Sequence, residues 1–248
     1  MSGGRLELIV GCVSAGKTEM LISRLRREQV INSGDKEVLI FKAAIDDRYQ
    51  TDAVVSHNRT TIAGIPVYTT QEVRAHVHPY LRVVGLDEIQ FFDEDIIEFC
   101  EELVGKGIVV IASGLNKTFQ GEQFPLKQKG SKEFNLSKRT MGDLLGIADF
   151  ITTLTAICDY QLDGTVCRAD ACYTQRLLDG LPAPYDDQLI AVGNKDEKDG
   201  RAYRARCRAH PPRRGRRAAC RRAPAAAPRR RGRCCPAPRS APTGRRSA

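Results

Sequence analysis

Gly11-Cys12-Val13-Ser14-Ala15-Gly16-Lys17-Thr18 decides the fold. The eight residues fit G-x-x-x-x-G-K-[ST], follow an apolar run over 5–10 and open a helical pattern, the strand–loop–helix context that a phosphate-binding loop requires. Glycines let the backbone wrap closely round phosphate oxygens, and the amides at the helix N-terminus favour anionic charge. Gly11, Ser14, Ala15 and Gly16 form that wall. Lys17 is placed to reach the β- and γ-phosphates of ATP or GTP, and the Thr18 hydroxyl to hold Mg²⁺.

Some 70 residues downstream, the apolar run Val83-Val84-Gly85-Leu86 ends in Asp87-Glu88. An apolar strand that delivers a carboxylate beside the phosphate site is the Walker B pattern. Asp87 then sits near the metal, and Glu88 can act as general base. Around these two motifs, apolar runs alternate with helical segments through the first 155 residues, which predicts an α/β fold with a mostly parallel sheet flanked by helices. Strands are expected over 5–10, 38–41, 66–68, 83–87, 108–113 and 150–155. Helices are expected over 17–31, 70–77 and 93–104, with Gly34 stopping the first and Gly105 the third. Between 114 and 139 runs a long polar connection punctuated by Phe119, Phe124 and Phe134; connections of this length are usually functional.

From 156 to 210 the pattern changes to cysteines, turns and short strands, read as a small second domain after the 1–155 nucleotide-binding domain. Six cysteines lie in 1–210, at 12, 100, 158, 167, 172 and 207. Cys12 is a loop residue and Cys100 a helix-face core residue, while His57, His76 and His78 have no matching partners. Cys207-Arg-Ala-His210 has the spacing of a zinc knuckle, which needs a second pair of ligands. Cys158 and Cys167 supply it, eight residues apart rather than the usual two to four, with Cys172 as the competing ligand.

The chain has 248 residues and a formal net charge of +9. That charge is confined to one end: residues 211–248 hold 13 of the 39 basic residues and none of the 30 acidic ones, leaving 1–210 at −4. The tail has almost no large apolar residues and is expected to be disordered. Phosphate contacts could give it nonspecific nucleic-acid binding, which is not expected to be functional; the better reading of its Arg, Ala, Pro and Gly content is a GC-rich segment read out of frame or a lineage-specific extension. No apolar run reaches the roughly 18 residues needed to cross a bilayer, and 1–5 lack the charged and apolar regions of a signal peptide. A cytoplasmic protein is expected.

Together, GCVSAGKT, DEIQFF (87–92), GLNKTFQGEQF (114–124), TAIC (155–158), YTQR (173–176) and YRARCRAH (203–210) resemble the type II thymidine kinase family, over about 4–210. The resemblance implies transfer of the ATP γ-phosphoryl to the 5′-hydroxyl of thymidine. It implies Glu88 as the base, Asp87 and Thr18 toward Mg²⁺, Lys17 and Gln90 on the ATP side, and Zn²⁺ at the Cys/His cluster. Phe91, Leu115, Phe119 and Phe124 match positions packing around the deoxynucleoside. Thr174, Tyr203 and the stretch 189–193, with Ala191, Val192 and Gly193, match the loop that covers thymine. Asp46 and Arg48 match a segment near the phosphate site. Members of the family are typically homotetramers under feedback from thymidine triphosphate.

The chain departs from the family pattern in having C-x8-C where C-x-x-C is usual, Asn116 where Asp is common, a longer stretch before Tyr203, and the basic tail. Two other readings compete: a nucleic-acid-associated P-loop ATPase, and a degenerate kinase that only binds nucleotide. The net acidic 1–210 argues against the first, and the intact Lys17, Thr18, Asp87 and Glu88 against the second.

Overall fold

A computed structural model of the chain describes residues 3–32, 37–44, 53–55, 61–131, 134, 137–190 and 201–212, all within one compact unit, Met1–Arg216. Gly34, Asp46, Arg48, His57, the 191–193 stretch and the tail from 213 lie outside the described residues.

Six parallel strands form the central sheet in the order β5-β2-β6-β7-β1-β8: β1 (Arg5–Gly11), β2 (Val38–Ala43), β5 (Ile65–Val67), β6 (Val83–Asp87), β7 (Val109–Gly114) and β8 (Phe150–Leu154). Alternation along these strands explains the two-sided core. Leu6, Leu8 and Val10 of β1, Val84 and Leu86 of β6, and Val110 and Ala112 of β7 share one cluster with α3 (Ile96–Gly105). Ile9, Val38, Ile40, Val83, Val109 and Ile111 face the other way, against Leu21, Ile22 and Leu25 of α1 (Lys17–Ile31). With both faces covered, the strands read as near-continuous apolar runs.

All six expected central strands and the three expected helices are present, with ends shifted by a residue or more except in α1 and β6. Gly105 does not stop α3: it is the last helical residue, Lys106 caps the helix, and the left-handed turn falls on Gly107. α2 (Thr70–Ala75) starts on a Thr69 side-chain cap. The 114–139 connection is followed by a short helix the sequence reading did not assign, α4 (Met141–Ile147), begun by a capping box of Thr140 and Asp143. β3 (Ala53–Val55) and β4 (Thr61–Ala63) form an unassigned antiparallel pair.

The cysteine-rich part forms a four-stranded antiparallel sheet in which β12 (Asp170–Leu178) pairs with β14 (Arg201–Cys207), β13 (Leu181–Pro182) and β9 (Ala156–Ile157). A separate hairpin, β10 (Gln161–Leu162) and β11 (Thr165–Val166), lies between β9 and β12. Among the described residues no helix is long and apolar enough to cross a membrane.

Candidate active site

The phosphate loop, Asp87-Glu88 and the end of β7 meet at the carboxyl ends of the central strands, where open α/β sheets bind ligands. Gly16 adopts φ 79° as it leads into α1, a left-handed conformation that strains a side-chain-bearing residue. At Gly11 the limit is space: a Cβ there would lie 2.4 Å from the Leu154 carbonyl oxygen of β8. Lys17 is buried and its ammonium donates to the Cys12 carbonyl at 2.9 Å, across the mouth of the loop. The Thr18 hydroxyl donates to Asp87 Oδ1 at 3.3 Å, bringing together side chains 69 residues apart.

Asp87 is 3% exposed. Burial, reinforced by the adjacent Glu88 charge, pushes its carboxyl up to about 6, against hydrogen bonds from Ser113 and Thr18 that favour the ionised form. The Ser113 bond is the shorter, 2.6 Å from Oγ to Oδ1. Ser113 was not singled out from sequence; its only signal was its place at the end of a strand beside the Walker B strand. Glu88 sits at φ 55°, ψ 45°, left-handed for a non-glycine residue, where β6 turns into a 3-10 turn over Ile89–Phe91. Side-chain-bearing residues held there cluster at functional sites. Gln90 is fully buried: its Nε2 donates to Glu88 Oε2 at 2.6 Å and its Oε1 accepts from the Leu115 amide at 2.9 Å. It therefore braces Glu88 against the start of the 115–124 loop.

The aromatic residues fall into two groups. Phe91, Phe124 and Phe134 stack edge to face, with centroids 5.7–6.4 Å apart. Phe119 stands apart, its ring 3.9 Å from the Arg176 guanidinium carbon. Leu115 packs half-buried on the same core. Thr174 is buried on β12, its hydroxyl accepting from the Val13 amide at 3.0 Å, and Cys12 Sγ donates to the Ala171 carbonyl at 3.2 Å. These bonds hold the phosphate loop to the antiparallel sheet. Tyr203 lies opposite Arg176 on β14.

Cys158, Cys167, Cys207 and His210 converge, one ligand atom from each lying within 4.8 Å of all the others. Cys172 is not in the group. Sulfurs bound tetrahedrally at 2.3 Å lie about 3.8 Å apart, and the Cys167 and Cys207 sulfurs are 3.8 Å apart. His210 Nδ1 is 3.3 Å from Cys207 Sγ and 3.8 Å from Cys158 Sγ. Burial opposes ionisation of the Cys207 thiol, but the His210 and Ala209 amides carry it down to about 7, close to the thiolate a metal needs. The donor set fits zinc. The long Cys158–Cys167 gap is absorbed by the β10–β11 hairpin, whose Asp163 and Gly164 both have positive φ, as a type I′ turn demands. Cys167 N–H then bonds the Tyr160 carbonyl at 2.9 Å and Arg168 N–H the Cys158 carbonyl at 3.0 Å, closing the loop beneath the hairpin. The Asp-Gly pair was the sequence signal for this hairpin. Tyr160 stacks on His210, centroids 4.1 Å apart.

A cleft of about 920 Å³ opens on the other face of the antiparallel sheet, lined among others by Lys117, Tyr160, Tyr173, Gln175, Arg206 and His210. It includes neither the phosphate loop nor Asp87 and Glu88, so the phosphate chemistry does not lie in it.

The thymidine kinase family profile matches residues 4–211. A thymidine kinase of Mesoplasma florum is 39% identical over 210 residues, an alignment covering 83% of this chain and 90% of that protein. On this match, carried over nearly all the described residues, the chain belongs to the thymidine kinase family.

Proposed function

We propose that the protein is an ATP-dependent thymidine kinase, transferring the γ-phosphoryl of ATP to the 5′-hydroxyl of thymidine. The observation that carries the reading, beside family membership, is the Thr18 hydroxyl on Asp87, which brings the phosphate loop to the carboxyl end of β6, where Glu88 follows. The nucleic-acid-associated ATPase is not favoured.

In this reading the loop amides and Lys17 hold the ATP phosphates in place of the Cys12 carbonyl that Lys17 now binds. Thr18 and Asp87 are the residues that would hold Mg²⁺, which neutralises phosphate charge. Glu88, fixed by Gln90, accepts the proton of the 5′-hydroxyl as its oxygen bonds to the γ-phosphorus and the bond to the β–γ bridging oxygen breaks, leaving ADP. Phe91, Phe124 and Leu115 form an apolar wall for the deoxynucleoside, and Thr174 and Tyr203 lie on the sheet that backs it. In this division of labour 1–155 supplies the ATP site, Glu88 and the apolar wall, and 156–210 the structural Zn²⁺ site and the sheet behind the nucleoside. Cytoplasmic location, a homotetramer and feedback by thymidine triphosphate belong to the same proposal.

The test is purified protein with ATP·Mg²⁺ and a panel of nucleosides, following monophosphate formation. Thymidine monophosphate is expected; ATP hydrolysis without nucleoside phosphorylation would overturn the reading.

A further inference from the structure

Arg176 is the largest fully buried side chain among the described residues, its side chain 0% exposed. A guanidinium cannot shed its charge there, so it needs partners, and it has few. One nitrogen, Nη2, donates to Asp187 Oδ2 at 2.7 Å, and the flat face lies 3.9 Å from the centre of the Phe119 ring. Nε and Nη1 have no hydrogen-bond partner among the described residues. A buried cation so sparsely satisfied is a poor choice for stability alone. What it does is join three segments: β12, which carries it, the 115–124 loop, which carries Phe119, and the 183–190 segment, which carries Asp187.

Two further contacts stitch the same two segments. Gln120 Nε2 donates to the Tyr185 carbonyl at 2.6 Å, and the Tyr185 hydroxyl donates to Glu122. The 183–190 segment is anchored at its start by the Ala183 amide on the Arg176 carbonyl at 2.9 Å. Leu189 and Ile190, just past Asp187, pack against the core that contains Phe124.

We propose that Arg176 is a positioning residue for the nucleoside: its guanidinium, clamped between Phe119 and Asp187, holds the 183–190 segment against the 115–124 loop so that the base-side wall is in place before substrate arrives. The clamp acts on the nucleoside and not on ATP, since its polar and ring contacts among the described residues are Arg176 with Asp187 and Phe119, none of them to the phosphate loop or Asp87. The base-side assignment rests on the thymidine reading above.

Steady-state kinetics of Asp187→Asn and Arg176→Lys test the clamp, varying thymidine and ATP separately. Asp187→Asn removes the charge partner, and Arg176→Lys keeps the charge without the planar face. Each is expected to raise the thymidine KM about tenfold, the scale of one lost preorganising contact, with the ATP KM, saturating kcat and zinc content within about twofold of wild type. The Arg176→Lys/Asp187→Asn pair should be less than additive. An unchanged thymidine KM, or thymidine and ATP KM rising together, would overturn the proposal. Should Arg176→Lys fail to fold, Asp187→Asn carries the same test. Chymotryptic cleavage after Tyr185 without nucleoside separates the clamp from the thymidine reading. Faster cleavage in Asp187→Asn than in wild type supports the clamp even if thymidine proves not to be the substrate, and equal rates refute it even if thymidine is phosphorylated.

Discussion

Replacing Ser113 by alanine removes one hydroxyl from a fully buried position and leaves almost no cavity, so its effect should fall on the carboxylate it serves. The Ser113 Oγ–Asp87 Oδ1 bond, at 2.6 Å, favours the ionised carboxylate in a site where burial already pushes Asp87 up to about 6. A hydrogen bond to a charged group contributes about 1.5–3 kcal/mol, and about 1.4 kcal/mol corresponds to one pH unit. Ser113→Ala should therefore move the Asp87 titration up by about one to two pH units. At neutral pH the variant should hold Asp87 less ionised than wild type does. Metal binding requires the ionised form, so kcat/KM for ATP·Mg²⁺, followed from pH 5.5 to 9, should have its acid limb displaced upward and recover toward wild type at pH 9. Stability has its own sign. An acid whose folded-state value is raised contributes stability below its ordinary range and loses it as pH rises through the folded value. The variant should therefore melt close to wild type at pH 5 and fall further behind by pH 8. Ser113→Thr, which keeps a hydroxyl, should restore the wild-type profile. A loss of activity that is uniform across pH, with an unmoved acid limb, would refute the reasoning.

Glu88→Gln should lower kcat by about 10²–10⁴-fold, the scale of general-base loss, with ATP and thymidine binding by calorimetry nearly unchanged; turnover within a few-fold of wild type would remove Glu88 as the base. Metal analysis should find one zinc per chain, lost in Cys158→Ser and kept in Cys172→Ser; the reverse result would contradict the observed cluster. Chelation should unfold the antiparallel sheet, read as new protease sites between 156 and 210, because structural zinc contributes folding free energy. Gly11→Ala would place its Cβ 2.4 Å from a backbone oxygen, overpacking expected to cost about 1–3 kcal/mol and to lower Tm by about 2–12 °C, with a raised ATP KM; a variant as stable as wild type would show that β8 yields there.

What was legible in the sequence was whatever depends on neighbours along the chain. The strand, loop and helix of residues 5–31 follow from an apolar run, glycines at set offsets and a helical pattern, and β6 ends on Asp87-Glu88 as its apolar run does. Hydrogen bonds within a helix or turn span only a few residues, so local composition decides them. The Asp163-Gly164 turn was equally local, and reading it would have shown how Cys167 returns to Cys158. Tertiary structure alone decided the rest, because those partners lie far apart in sequence. Ser113 meets Asp87 across 26 residues and Thr174 meets Val13 across 161, and no periodicity records such pairs. Phe119 looked equivalent to Phe124 and Phe134 as one more aromatic in a polar loop; packing separated it from them and set it against Arg176. Cys172 lies nearer to Cys167 along the chain than Cys158 does, yet the hairpin brings Cys158 into the cluster and Cys172 stays outside it. Spacing along the chain limits which ligands can meet, but the direction in which each strand presents its side chains determines which of them do.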